Sequence, residues 1–222
     1  KNTLIGCEAG DALTDANYNV AVGSGALTAD TLGSKSVAIG YHALDEQNFT
    51  SATDAYNVAV GFDAGQKVTT GIQNVFMGGL AGDALTGGGF SGATRLAGAD
   101  QNVAIGASAL TNDTKGSGAV AIGYAALNEQ NFASATVNYN VAVGYKAGEV
   151  ISDGTNNTLI GGLAGNALTT GSKNTIIGSY SGNQGGLDIR TASNRIVLSD
   201  GDGNPRLYID SGGDIRHFDS GG

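Results

Sequence analysis

The sequence predicts an all-β protein, a parallel β-roll or β-solenoid of about ten short coils followed by a small C-terminal β unit. Two observations carry this. A phrase of nine or ten residues recurs with glycine at its centre, as in "YNVAVGSGAL" from Tyr18, "SVAIGYHAL" from Ser36 and "YNVAVGYKAG" from Tyr139. Glycine also supplies 38 of 222 residues, far above its usual share of about 7%, and it is placed periodically. Abundant but regularly spaced glycine points to a repeat protein and away from a flexible linker.

With the glycine that closes "NVAVG" as an anchor, ten copies fall at Gly6, Gly23, Gly40, Gly61, Gly78, Gly106, Gly123, Gly144, Gly161 and Gly178. Their spacings are 17, 17, 21, 17, 28, 17, 21, 17 and 17 residues. Asn stands four residues before the anchor in eight copies, with Ser36 and Ala119 as the exceptions. Ala, or Ser181 in the last copy, stands three residues after it. Residues 19–86 align with 102–169 at a constant offset of 83, with 43 identities in 68 positions. A four-copy block has been duplicated whole, which suits a solenoid whose units touch only their neighbours.

Glycine recurs too often here for helices of ten or more residues. The segments "VAVG", "VAIG" and "TIIG" are short, β-branched and bounded by turn formers, which predicts strands. Each copy then makes one coil: a short strand, a glycine corner, a second short strand and a return. The anchor suits a corner needing positive φ or close backbone approach. The repeated Asn suits a turn in which its amide bonds nearby backbone and stacks on the Asn of the next coil.

Side chains alternate along a strand, so Val20 and Val22 share one face, read as the roll interior. The opposite face is apolar too, through Leu4, Ala21, Ala38, Ala59, Phe76, Ala104, Ala121, Ala142, Leu159 and Ile176. A strand apolar on both faces needs a second partner, and another copy of the chain is the simplest. This second face is therefore the expected interface between copies. Leu or Ile at its centre accompanies Thr in "TLI" and "TII", read as size compensation between the faces.

The phrases "NVAVGYKAG", "SVAIGYHAL" and "NTLIGGLAG" resemble the head repeats of trimeric autotransporter adhesins of the YadA-like type, a repeat also widespread in bacteriophage tail fibres. The resemblance covers residues 2–182. It implies a left-handed parallel β-roll and a homotrimer with the repeat strands facing inward. This chain departs from the adhesin pattern in its longer period and in the inserts behind the 21- and 28-residue spacings.

Residues 1–186 are read as the repeat roll and 187–222 as a separate C-terminal β-hairpin unit. Four of the five Arg and the single Pro lie in that tail, which has no Lys. "NRIVLSDGDGNPRLYIDSGGDIR" predicts three short strands joined by Gly/Asp/Asn turns. The tail is similar to the segment that precedes a releasable C-terminal chaperone of the endosialidase type in phage fibres. No heptads of an adhesin stalk follow. These features favour a virion tail fibre over the alternative of a bacterial surface adhesin head. The chain opens inside a repeat, at "KNTLIG", and an earlier part is expected to contact other tail proteins. Asp200, Asp202 and Asn204 have the spacing that opens a calcium loop, but Pro205 stands where that loop wants Gly, so a hairpin turn is expected.

Composition narrows the function. Net charge is −9 and the cations are dispersed, which argues against nucleic acid. No apolar run approaches the eighteen residues of a membrane span. Cys7 is read as a buried small hydrophobe, and His42 and His217 have no metal-ligand spacing, so neither metal nor cofactor is expected. Glycan hydrolysis needs paired carboxylates at a defined separation. Asp45, Glu46, Asp54, Asp63, Glu129 and Glu149 read instead as scattered surface charges, so no catalysis is expected. The "ALT" triplets shift register relative to the anchor, which counts against ice binding.

A host-attachment fibre and a purely structural shaft remain. The two 21-residue spacings carry nearly the same insert, "DEQNFTSATDAY" from Asp45 and "NEQNFASATVNY" from Asn128. If these project as loops, Gln47, Asn48, Phe49 and Tyr56, with Gln130, Asn131, Phe132 and Tyr139, offer aromatic faces beside amides. Tyr41 and Phe62, with Tyr124 and Tyr145, would extend an aromatic ladder beside each loop. Such a surface suits a cell-surface glycan or another surface receptor. The alternative is that Phe49 and Phe132 fold back to cover the roll.

Overall fold

The computed structural model describes residues 1–86, 90–91, 94–95 and 98–218. Among them there is no helix, and one thirteen-stranded sheet dominates. Its first eleven strands, from Thr3–Ile5 to Ile196–Ser199, run parallel and stack copy upon copy. Pro205–Ile209 and Ile215–His217 then close it in antiparallel fashion. The register never slips along the repeats: Leu4 pairs with Ala21, Ala21 with Ala38, Ala59 with Phe76, and Ile176 with Val197. The fold is the β-solenoid expected, with each copy as one coil. Part of the longest insert, residues 87–89, 92–93 and 96–97, lies outside the described residues, as do residues 219–222 of the tail.

The corners explain the glycines. The anchors hold φ between 107° and 143°, a region closed to most side chains. Each but the last lies against the carbonyl of the next anchor, so a Cβ on Gly40 would collide with the Gly61 carbonyl oxygen, and Gly178 lies likewise against the Ser199 carbonyl. The second half of the coil begins as a chain of turns, and among the described residues the second strand expected is present only as short ladders at Gly33–Ser34 with Thr53–Asp54 and Gly116–Ser117 with Thr136–Val137. Ala26 N–H donates to the Gly23 carbonyl at 3.3 Å, and Leu27 N–H then donates to Ala43 of the next coil at 3.0 Å.

The Asn column forms a second ladder. Asn19 Oδ1 accepts the Ser36 N–H at 2.8 Å, while its Nδ2 donates to the Gly33 carbonyl at 2.8 Å. Asn57, Asn74, Asn102, Asn140, Asn157 and Asn174 repeat both bonds. All seven side chains are buried, so each amide satisfies backbone groups that would otherwise be stranded away from water.

The two strand faces lie the other way round from the sequence reading. Ala21, Ala38, Ala59, Phe76, Ala104, Ala121, Ala142, Leu159 and Ile176 point into the coil and are 0% exposed within a single chain. Leu4, on the first rung, packs toward Leu13 and is 42% exposed. The nine that follow Leu4 are core, so they do not form a surface between copies. The reason is volume: a narrow coil has room for one inward residue per strand, Ala in six of these nine, whereas the two flanking residues require the open side.

Large interior residues sit beside glycine. A Cβ on Gly65 would fall 2.7 Å from Phe76, and one on Gly165 would fall 2.9 Å from Leu159. Size compensation of this kind lies inside the coil, between the turn four residues past the anchor and the strand centre of the same or the next coil, and not between the two faces. Where that turn position holds Leu27, Leu44, Leu110 or Leu127, the strand centre is Ala and the leucine adopts φ of 49–57°.

The tail is continuous with the roll. Ile196–Ser199 takes the place of an eleventh coil strand, and Val197 and Tyr208 belong to the same buried cluster as the repeats. No break in the sheet marks the boundary expected at 186/187. The three predicted strands are present, and Asp200 and Asp210 each cap a hairpin turn. Asp200 Oδ1 accepts the N–H groups of Asp202 and Asn204 at 3.0 and 2.9 Å, and its Oδ2 receives Arg206 at 2.5 Å. Partial desolvation raises the pKa of Asp200, but the Asn204 N–H and the Arg206 guanidinium outweigh it and hold the carboxyl below its usual range.

Two outcomes are expected. Gly40→Ala should cost about 1–3 kcal/mol in backbone strain before its clash is counted, lowering the melting temperature. Gly162→Ala, at a position with open space and no positive φ, should leave it unchanged. Deleting residues 19–101 should give a folded rod shorter by about 19 Å, four strand spacings, because Asn102 then stacks where Asn19 does. Deleting 19–104 also removes Asn102 and Val103 and should abolish the cooperative melt followed by circular dichroism.

Candidate functional site

The inserts do not project. Thr53–Asp54 pairs in parallel with Gly33–Ser34, and Thr136–Val137 with Gly116–Ser117, so each insert lies along the roll as an extra ladder. Phe49 and Phe132 fold inward and are 2% and 5% exposed. Gln47 and Gln130 are fully buried. These four residues are therefore structural, contrary to the loop reading.

Each glutamine bridges two polar partners. Gln47 Nε2 donates to Asp30 Oδ2 at 2.6 Å and its Oε1 accepts from Asn57 Nδ2 at 2.8 Å. Gln130 does the same between Asp113 at 2.6 Å and Asn140 at 2.7 Å. Asp30 Oδ1 also takes the Gly33 N–H, and Asp113 Oδ1 the Gly116 N–H, both at 2.9 Å. Burial pushes the Asp113 carboxyl above its usual range, against the opposing pull of Gln130 and the backbone N–H groups. The signal was present in the sequence. Seven residues past the anchor, other coils carry Leu13, Val68, Leu85, Ile151 or Leu168, whereas these carry Asp30, Gln47, Asp113 and Gln130.

The other candidates are on the surface. Asn48 and Asn131 are exposed but accept hydroxyl bonds from Thr31 at 3.0 Å and Thr114 at 2.9 Å. Tyr41, Tyr56, Tyr124 and Tyr139 are between 46% and 63% exposed. The aromatic ladders exist: Tyr41 stacks on Phe62 with centroids 5.2 Å apart, and Tyr124 on Tyr145 at 5.5 Å, each pair within 13° of parallel. Lys35 Nζ meets Asp54 Oδ2 at 2.7 Å and the Tyr56 hydroxyl at 2.9 Å. The Asp54 bond, followed by the Tyr56 bond, raises the Lys35 pKa above the usual lysine range.

The largest surface feature is the outer side of the strands. Thr3 and Ile5 begin two columns that are apolar except for Thr3, Thr158 and Thr175, and they run to Ile196 and Leu198. Among the described residues these columns are half-buried to exposed, with Ile39, Met77, Ile160 and Ile177 38–45% exposed. Tyr18, Lys35 and Tyr56 begin a border before the strands; Tyr41 and Phe62 belong to a border after them.

The remaining ionisable groups are dispersed. His42 Nδ1 lies 3.9 Å from both Asp45 and Asp63, and Lys146 pairs with Glu149 at 2.9 Å. Among the described residues no three His, Cys, Asp or Glu side chains group as metal ligands. Cys7 is exposed, not buried as expected, and stands in the border that follows the strands. No family model, curated protein or solved structure matches this chain.

Replacing Gln47 with Ala strands Asp30 Oδ2 and one Asn57 Nδ2 donor bond, at about 1–3 kcal/mol per stranded group. Gln47→Ala and Gln130→Ala are each expected to lower the melting temperature, and Asn48→Ala much less. Equal melting of Gln47→Ala and the parent protein would contradict this structural role.

Proposed function

We propose that this chain is a rod segment of a homotrimeric virion tail fibre serving host attachment, built from repeats like those of trimeric adhesin heads. The observation that carries the reading is the uncovered apolar face. Eleven strands at about 4.8 Å spacing make it roughly 50 Å long. Soluble monomers rarely leave so large a contiguous apolar patch in water. A second copy offers a matching surface at the same repeat spacing, and cyclic assembly covers every such face. The number three follows the resemblance of the repeats. The buried inserts shift the weight of this segment's role toward the rod itself. Contact with other tail proteins belongs to the same reading.

A second reading, glycan contact, has support from the stacked and half-exposed rings at Tyr41, Tyr124 and their neighbours. Aromatic faces of this kind suit sugar rings.

The rod reading is tested by sedimentation. The parent chain should associate as a trimer. Ile39→Asp combined with Ile160→Asp places unpaired carboxylates on the covered face at several kcal/mol each, and should yield a folded monomer. Ala59→Asp, directed into the coil, should instead destroy the β signal in circular dichroism. A parent chain that stays monomeric, or an outward double variant that still assembles, ends the proposal.

A further inference from the structure

The two borders of the open face carry a size pattern that the rod reading does not use. In the border that follows the anchors, large residues come in pairs, Tyr41 with Phe62 and Tyr124 with Tyr145, separated by Gly79 and Ala107. The stacked rings run along the rod axis, so each pair forms a raised fin on an otherwise low edge. The opposite border is also a true column. Gln101 Nε2 donates to Gln73 at 3.2 Å, Lys35 lies over the Tyr56 ring, and a Cβ on Gly118 would contact Tyr139 at 3.4 Å.

Resting on the reading of the open face as an interface, we infer that these borders are the seams between parallel copies of this chain and set their axial register. In a closed ring of parallel copies, equivalent rungs lie at one height, and one border meets the other border of the neighbouring copy. Matched rungs then place Phe62 on the neighbour's Tyr56 and Tyr145 on its Tyr139, two aromatic pairs per seam. Tyr124 fills the space over Gly118, and Tyr41 meets the cation of Lys35. The low positions Gly79 and Ala107 receive the long amides Gln73 and Gln101. A slip of two rungs, which would open the ring into a helical stack, removes this fit: Gly79 meets Gly118 across a void, and Phe62 loses its aromatic partner to Gln101.

The area also fits a second copy. Four positions per rung span about 20 Å, and eleven rungs about 50 Å, which gives roughly 1,000 Å² per copy. Stable interfaces bury about 800 Å² per partner. A closed ring divides that area between two neighbours, about 500 Å² per seam, so the two seams together give each copy about the share of one standard interface.

The test uses the full chain with Cys7→Ser as background. Gln101→Cys with Ala107→Cys places one thiol in each border of the same rung, separated within a chain by the width of the strand. A short bis-maleimide should join neighbouring copies through this pair. It should not do so through Gln101→Cys with Gly162→Cys, three rungs apart. Replacing Tyr56, Phe62, Tyr139 and Tyr145 with Ala should leave the β signal intact, raise the half-assembly concentration about tenfold or more, and reduce the matched cross-link. An associating parent chain without the matched cross-link overturns the inference, as does an alanine variant that assembles at the parent's concentration. An alanine variant that assembles normally but no longer adsorbs to host cells assigns the rings to a receptor and also overturns it. A monomeric parent chain overturns the inference and the rod reading together.

Discussion

Everything in this protein depends on backbone meeting backbone at the anchor glycines. Each corner places its carbonyl where a side chain of the preceding corner would have to be, so one Cβ would force two coils apart. With the corners in contact, the three-residue strands align without slip and the Asn amides reach both of their backbone partners. Short strands are weak alone, since three residues bury little surface. They persist here because ten end at a glycine corner and seven of these also start at a buried Asn amide.

That constraint fixes the cross-section, and the interior is then filled in two ways. One places leucine in a left-handed turn beside a small alanine strand, with a buried polar residue further along, as at Leu27 and Asp30 or Leu127 and Gln130. The other leaves the turn as glycine and admits an aliphatic residue further along with a larger strand residue in the same coil, as at Gly165, Leu168 and Leu159, or in the next, as at Gly65 and Phe76. The polar solution is viable because Asp30, Gln47 and Asn57 are mutually bonded, which avoids the penalty of a stranded buried group. Conflicting choices in adjacent coils would leave either a void or a clash.

The coils, their order and the Asn ladder were legible in the sequence because they are local and periodic. Which strand face lies inside was not, since alternation only says which residues share a face. Residue size held the answer: Ala21 fits a narrow interior, whereas Val20 and Val22 together do not. Phe49 and Gln47 looked like loop residues because the longer spacing was taken for a protrusion. Their place was marked by Asp30 and Gln47 standing where other coils carry Leu13 or Val68. The tail boundary followed a change in composition, yet Val197 keeps the alternation that admits it to the ladder.

The constant register between copies of the repeat has a further consequence. Because every coil advances the rod by the same strand spacing, length can change only in whole steps, and the duplicated block adds four at once. A chain built this way is graduated like a ruler. Its length is counted in coils, and gene duplication adjusts that length without redesigning a single contact.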